Sequence, residues 1–272
     1  MSDPLRIAMV GGGVMGGAIV EGFIDSTIDD RLVDVRVVEA DHDRARYWRD
    51  RGVRVAELAD AAGDADVVFL AVKPHQIHAV LDRLAPSLGE QTVVVSIAAG
   101  IPLQALQAPL GPGAAVIRTM PNTPVQVGKG VIGLVVGSSC TPAQVALVRR
   151  LLEPNALTVE VPEEQLDALT ATSGSGPAYV FYIAEAMLRG ARELGLPADT
   201  AALLVAETIT GAAELLAREP ENAEGLRKSV TSKGGTTAAA IDVFERAGVR
   251  EIVSEAMQAN VRRSQEMADE RE

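Results

Sequence analysis

The sequence predicts an α/β N-terminal domain over residues 1–162 followed by an all-α C-terminal domain over residues 163–272. Three observations carry this. Short β-rich runs alternate with helical patterns up to Pro162; those runs are apolar throughout instead of alternating; and from Glu163 onward almost no β-rich run remains while apolar residues recur at helical spacing.

In the first half the β-rich runs fall at 6–10, 35–38, 67–72, 92–96 and 115–118. Strands apolar on both faces belong to a sheet covered by helices on both sides, as in βαβ units around a mostly parallel sheet. Two further runs, 131–136 and 157–161, bracket a helix opening at Thr141-Pro142, with threonine as N-cap and proline in the first turn. In the second half the helical patterns run over 178–194, 198–216 and 250–267, rich in small residues such as Gly211-Ala-Ala213 and Thr237-Ala-Ala-Ala240. Small side chains let backbones approach closely but bury little apolar area, so this half is expected to lean on a second copy in an obligate homodimer.

The 272 residues, 47% of them hydrophobic, suffice for a sizeable core, and a formal net charge of -12 opposes nucleic acid and anionic membranes as partners. A small-molecule partner is the expectation. One cysteine, Cys140, excludes an internal disulfide, reads as a packing residue and fits a reducing compartment. Apolar runs such as 93–101 stop short of the ~18 residues of a membrane helix, and no basic segment followed by an apolar core opens the chain, so a cytoplasmic location is expected.

Directly after the first run stands Gly11-Gly12-Gly13-Val14-Met15-Gly16, a G-x-G-x-x-G that opens a helical stretch. The first glycine permits the tight turn, the second lets backbone approach a pyrophosphate, and the third packs helix on strand. The helix N-terminus adds free amides and partial positive charge. This is the fingerprint of a Rossmann-type NAD(P)-binding domain. Glu39, ending the second run, would accept hydrogen bonds from a ribose 2′-hydroxyl and repel a 2′-phosphate, which leans toward NADH over NADPH. Arg44 is placed to bind that phosphate, diluted by Asp41 and Asp43, whereas Arg46 reads as solvated.

Later strand ends supply the rest of a cofactor crevice. Ala71-Val72-Lys73-Pro74 lies at the carboxyl edge, where open α/β sheets bind ligands; Lys73 reads as a nucleotide or oxyanion contact, weighed against a solvated lysine. Ala98, Ala99 and Gly100 leave room for a nicotinamide ring. Met120 and Asn122 follow another strand, Asn122 being either a partner of the ring carboxamide or a turn asparagine. Ser173-Gly174-Ser175-Gly176-Pro177 and Gly234-Gly235-Thr236-Thr237 each place small residues at a helix start, a cradle for a carboxylate weighed against ordinary capping. His42, His75 and His78 read as surface or strand-end residues.

Six blocks in order, residues 11–18, 71–74, 96–100, 118–124, 173–179 and 231–237, together resemble the pyrroline-5-carboxylate reductase family over nearly the whole chain. The resemblance implies reduction of Δ1-pyrroline-5-carboxylate to L-proline with NADPH or NADH, an all-helical substrate-binding and dimerisation domain, and dimers often gathered into a larger ring. It also implies that Thr237 meets the ring nitrogen, that amides around 235–237 and 173–176 hold the carboxylate, and that Glu219 lies near the substrate ring. Three features depart from the family pattern: Lys233 where proline is frequent, Glu39 and Asp41 in place of small hydroxyl residues, and a longer connection at 219–222. Rival readings are a 3-hydroxy-acid dehydrogenase, which would need a cleft lysine where only Lys228 and Lys233 are on offer, and a non-catalytic NAD(P)-sensing protein.

Overall fold

The computed structural model describes residues 3–269, so the outermost ends of the two predicted domains lie outside the described residues. The strands are β1 (Leu5–Val10), β2 (Thr27–Ile28), β3 (Arg31–Val38), β4 (Arg54–Val55), β5 (Val67–Leu70), β6 (Val93–Ser96), β7 (Ala115–Pro121), β8 (Gly130–Val136) and β9 (Ala156–Glu160). Helices α1 (Val14–Glu21), α2 (His42–Asp50), α3 (Leu58–Ala62), α4 (Ile77–Leu84), α5 (Leu103–Gln107) and α6 (Pro142–Leu152) connect them. The sheet order is β2-β3-β1-β5-β6-β7-β8-β9, with β4 also paired to β3.

Strand β1 pairs in parallel with β3 on one side and β5 on the other, so the chain leaves its carboxyl end where the strand order reverses and a crevice opens. Both faces of the sheet are covered, as the apolar runs predict. Leu5, Ile7 and Met9 face α1, α2 and α6 through Ile19, Phe23, Trp48 and Leu151; Ala8 and Val10 face the layer of Leu58, Ile77, Leu81 and Leu106. Each such fully buried aliphatic side chain contributes about 1.5–3 kcal/mol. The helix expected at Thr141 forms, and Thr141 Oγ1 accepts the amide of Gln144 in a reciprocal capping box.

Two features differ from expectation. The second run extends back to Arg31, because a tight turn at Asp29 and Asp30, both at positive φ, pairs β2 with β3; this accounts for the long spacing from the glycines to Glu39. Strand β8 runs antiparallel to β7, since only a short 3-10 turn joins them, too little chain for a parallel crossover.

Past the sheet, α7 (Leu166–Leu169) and a π-helical turn (Thr170–Gly174) belong to the first compact unit, which therefore extends beyond Pro162 to Gly174. Gly133 admits α7, because a Cβ there would lie 2.6 Å from Leu169. The unit also takes in the chain from Val261, where Ser264 donates to Asp167 at 2.6 Å. The second unit, Ser175–Asn260, is helical as predicted: α8 (Gly176–Glu193), α9 (Ala198–Arg218), α10 (Ala223–Ser229), α11 (Thr236–Arg246) and the first part of α12 (Val249–Asp269). Its buried apolar residues are Ala201 and Val205, while Phe181, Tyr182, Leu203 and Phe244 stand exposed. By length and composition α9 would suffice to cross a membrane, with 11% of the stretch buried, which corrects the expectation that no apolar run comes near that length.

On β3, Arg36 is buried and donates to Asp34, the Asp60 carbonyl and Asp64. The Arg36 hydrogen bond holds the Asp64 carboxyl below its ordinary value against a smaller push from burial. The stabilisation is therefore present above the unfolded value of about 3.9 and is lost as pH falls through the lower folded value. With Asp64 partly exposed, Asp64→Asn is expected to cost only about 1 kcal/mol at pH 7, a fall of ~2–4 °C in melting temperature that shrinks as pH falls below the unfolded value of about 3.9. Melting by circular dichroism checks it; a deficit that stays equal from pH 7 down to about pH 2 contradicts it.

Candidate active site

Gly11 sits at φ +98°, and a Cβ there would lie 2.6 Å from the Ala71 carbonyl oxygen, so the turn demands glycine. At Gly16 a Cβ would lie 2.2 Å from the Gly11 carbonyl and 2.7 Å from Ala71 Cβ, which is the helix–strand packing that position was expected to serve. Nothing lies within 4 Å of a Cβ on Gly13, the N-cap of α1, whose end carries no side-chain cap. Open space beside uncapped amides suits an anionic ligand. Val14 is exposed and Met15 packs on the core.

Glu39 closes the crevice at the end of β3. Its nearly buried carboxylate accepts the amides of Gly12 at 3.0 Å and Asp41 at 2.9 Å, and a fork from Arg44 at 3.0 and 3.2 Å. Burial pushes this carboxyl up; the Arg44 hydrogen bond, the two amides and the Arg44 charge together outweigh it and leave it below the ordinary value. Arg44 is thus committed to Glu39. Arg46 is exposed, with a long 3.9 Å contact to Asp43, as its solvated reading required.

The other strand ends lie at the same edge. Lys73 is exposed ahead of a 3-10 turn starting at Pro74, its amide donating to Gln76 at 3.2 Å; Ala71 and Val72 are half-buried. After β6, Ala98 is buried, Ala99 exposed and Gly100 at φ +72°. Met120 Cε would lie 3.0 Å from a Cβ on Gly174. Asn122 serves the turn reading and not the free-carboxamide one: it is buried, its Oδ1 accepts the Val131 amide at 2.8 Å and its Nδ2 donates to the Ser173 carbonyl at 3.0 Å. In an α-helix that carbonyl would take the amide of residue 177, and Pro177 has none, so Asn122 supplies the missing donor.

The block does carry a helix start, α8 opening at Gly176 with Pro177 in its first turn and no side-chain cap, but a further helical turn precedes it. Helical chain runs into that block from α7 through the π turn, and the hydroxyls of Thr170, Thr172 and Ser173 donate to carbonyls four residues back at 2.8, 2.8 and 3.1 Å. In the second unit, Ser175 Oγ accepts from Asn260 at 2.8 Å ahead of Gly176. The Gly234–Thr237 block does form a helix end: Gly234 lies at φ +74°, Gly235 bonds back to the Ser232 carbonyl at 3.0 Å, and α11 starts without a side-chain cap, Thr236 and Thr237 exposed. Glu219, at the C-cap of α9, accepts from Asn222 at 2.6 Å and closes its own connection.

Sequence reasoning missed Trp48, which donates from Nε1 to the Gly12 carbonyl at 3.1 Å. Its signal was its being the lone tryptophan, one helical turn after Arg44. Cys140 packs as expected: burial pushes its thiol up and Sγ donates to the Val116 carbonyl at 3.3 Å. The three histidines are exposed.

An open glycine turn at a strand-order switch point, an uncapped helix end and an acid at the neighbouring strand end fit a dinucleotide and define a nicotinamide-dependent oxidoreductase with a helical second unit. Comparison with known proteins specifies it further. Residues 163–267 match the family model for pyrroline-5-carboxylate reductase dimerisation, and residues 6–100 that for NADP oxidoreductase, coenzyme F420-dependent. A pyrroline-5-carboxylate reductase of Pseudomonas aeruginosa is 40% identical over 99% of each chain. The solved pyrroline-5-carboxylate reductase of Coxiella burnetii superposes with a TM-score of 0.89 at 36% identity, covering 97% of this chain and 98% of that one. That of Plasmodium falciparum, solved with NADP bound, shares the fold at a TM-score of 0.84 and 24% identity, covering 97% and 98%. The chain belongs to the pyrroline-5-carboxylate reductase family.

The contrast between Gly13 and Gly16 is testable. Gly13→Asp should leave the melting temperature within ~3 °C but weaken NAD+ binding at least ~100-fold by titration calorimetry, since a carboxylate would stand where phosphate oxygens belong. Gly16→Val should instead prevent folding or lower the melting temperature by more than ~10 °C. Equal stability loss for both would refute the assignment of separate roles.

Proposed function

We propose that this enzyme reduces Δ1-pyrroline-5-carboxylate to L-proline with NADH serving at least as well as NADPH, and the state of Glu39 is the observation that carries the coenzyme reading. When bound, the reduced nicotinamide supplies the hydride that ends on the imine carbon, the nitrogen keeping its proton as the C=N bond becomes C–N. Little acid–base work is left to the protein, in keeping with three exposed histidines. Its task is positioning. Gly11–Gly16 and the amides of α1 would hold the pyrophosphate, and Ala98–Gly100 the ring edge; Lys73, exposed at the neighbouring strand end, would add positive charge. The uncapped amides of Thr236 and Thr237 at the start of α11 would hold the substrate carboxylate, with the Thr237 hydroxyl on the ring nitrogen. Neither rival reading has an observation in its favour.

A 2′-phosphate would have to draw Arg44 away from Glu39 and leave a nearly buried carboxylate beside a dianion. A repulsion on the order of 1 kcal/mol in this partly screened position corresponds to about fivefold in kcat/KM. Ribose hydroxyls would meet the carboxylate as donors without disturbing the pair. The lone cysteine supports a reducing, cytoplasmic setting.

The second unit carries the dimerisation module, and self-association is what covers its exposed Phe181, Leu203 and Phe244. We take the pair as obligate, with dimers gathered into a larger ring.

Steady-state assays with pyrroline-5-carboxylate should give turnover with both coenzymes and kcat/KM for NADH no lower than for NADPH. Glu39→Ser should raise the NADPH-to-NADH ratio by about tenfold or less. A wild-type preference of tenfold or more for NADPH overturns the coenzyme reading; no turnover by folded protein overturns the activity. Sedimentation at micromolar concentration is expected to return dimers or their multiples, and a monomer would refute the assembly.

A further inference from the structure

Trp48 is the sole tryptophan of the chain, and its indole is 2% exposed beneath the glycine turn. It stands four residues after Arg44 on α2, so the two side chains share one face of that helix. Arg44 reaches Glu39 from there, and Trp48 reaches Gly12. The Gly12 carbonyl accepts from Trp48 Nε1 at 3.1 Å while the Gly12 amide donates to Glu39 Oε2 at 3.0 Å, so both polar groups of one glycine are held by side chains of the next βα unit. The fit is close: a Cβ on Gly12 would lie 2.3 Å from Nε1, and one on Gly17 3.0 Å from Cζ2.

The fingerprint logic gives the residue between the first two glycines no task. Peptide geometry gives it one. In a trans peptide the carbonyl and the following N–H point in opposite directions. The carbonyl of Gly12 is drawn inward to the indole, which turns the N–H of Gly13 away from it, and a Cβ on Gly13 would meet nothing within 4 Å. We propose that Trp48 is a positioning residue for the dinucleotide: its indole N–H fixes the Gly12–Gly13 peptide plane and so aims the first amide of the turn at the pyrophosphate. The proposal rests on the dinucleotide-binding reading. It differs from the role of Glu39 in acting on the part that NADH and NADPH share.

Trp48→Phe keeps an aromatic ring and removes the donor. Titration calorimetry with NAD+ and with NADP+ should show both dissociation constants raised about fivefold, the loss of one hydrogen bond, with their ratio unchanged and kcat at saturation within twofold of wild type. In the unaltered protein, Trp48 emission titrated with ADP, which carries the diphosphate without nicotinamide, should change saturably. A folded variant whose two constants stay within twofold of wild type overturns the proposal even if its melting temperature falls, because that is a packing role alone. If the variant does not fold, an emission that ADP leaves flat, at concentrations where calorimetry on wild type registers binding, overturns it equally. Should wild type bind neither NAD+ nor NADP+, the dinucleotide reading itself fails. A changed NAD+-to-NADP+ ratio in Trp48→Phe would place the residue with Glu39 and refute the shared-phosphate role.

Discussion

The convergence of three backbones at the carboxyl end of β1 is the constraint on which the site depends. Gly11 lies against the end of β5, Gly16 brings the first turn of α1 onto Gly11 and Ala71, and neither position has room for a single further carbon. Because the strand, the turn and the helix meet without side chains between them, the helix end opens directly over the switch point of the sheet. The acid of β3 and the indole of α2 then close on the same turn from the other side, through hydrogen bonds to one residue. The surface proposed to bind the dinucleotide is thus chiefly main chain, and the side chains that reach it, Glu39 and Trp48, bond to one glycine of the turn.

Most of this was legible in the sequence, and the exceptions have physical causes. Strands β1, β5, β6 and β7 show as apolar runs because helices cover both of their faces. The start of β3 does not, since Arg31 and Asp34 interrupt the apolar pattern, and their partners, Asp66 and Arg36, are visible only in the fold. The direction of β8 is invisible to periodicity, which is the same for parallel and antiparallel strands. At Pro177 the rule that proline begins a helix holds, α8 opening at Gly176, but the π-helical turn ahead of it and the donor from a strand end far away in sequence do not show in the local pattern. Glu39 was found by its place at the end of the second run, but its commitment to Arg44 was not, because composition around residues 39–46 is charged in both senses.

The helical unit shows the same economy of side chains with a different result. Small residues let α8 and α9 lie together, yet the bulky residues they carry, Phe181, Tyr182, Leu203 and Leu204 among them, face outward. A helix apolar enough to suit a lipid interior and yet matched by a dimerisation family is explained by burial against another protein surface. With the obligate pairing proposed above, folding and assembly would be one process for this half, and its stability would depend on protein concentration.

The bond from Asn122 to the Ser173 carbonyl ties two distant letters of the sequence to one another. Proline at 177 withholds a proton and asparagine at 122 gives one, so each makes sense of the other. Exchanging the proline would offer the helix a donor of its own, yet Asn122 would still be held by the Val131 amide it accepts; exchanging the asparagine would strand both that amide and the Ser173 carbonyl. The asparagine is therefore the more constrained of the two, because it serves two backbone groups while the proline merely lacks one.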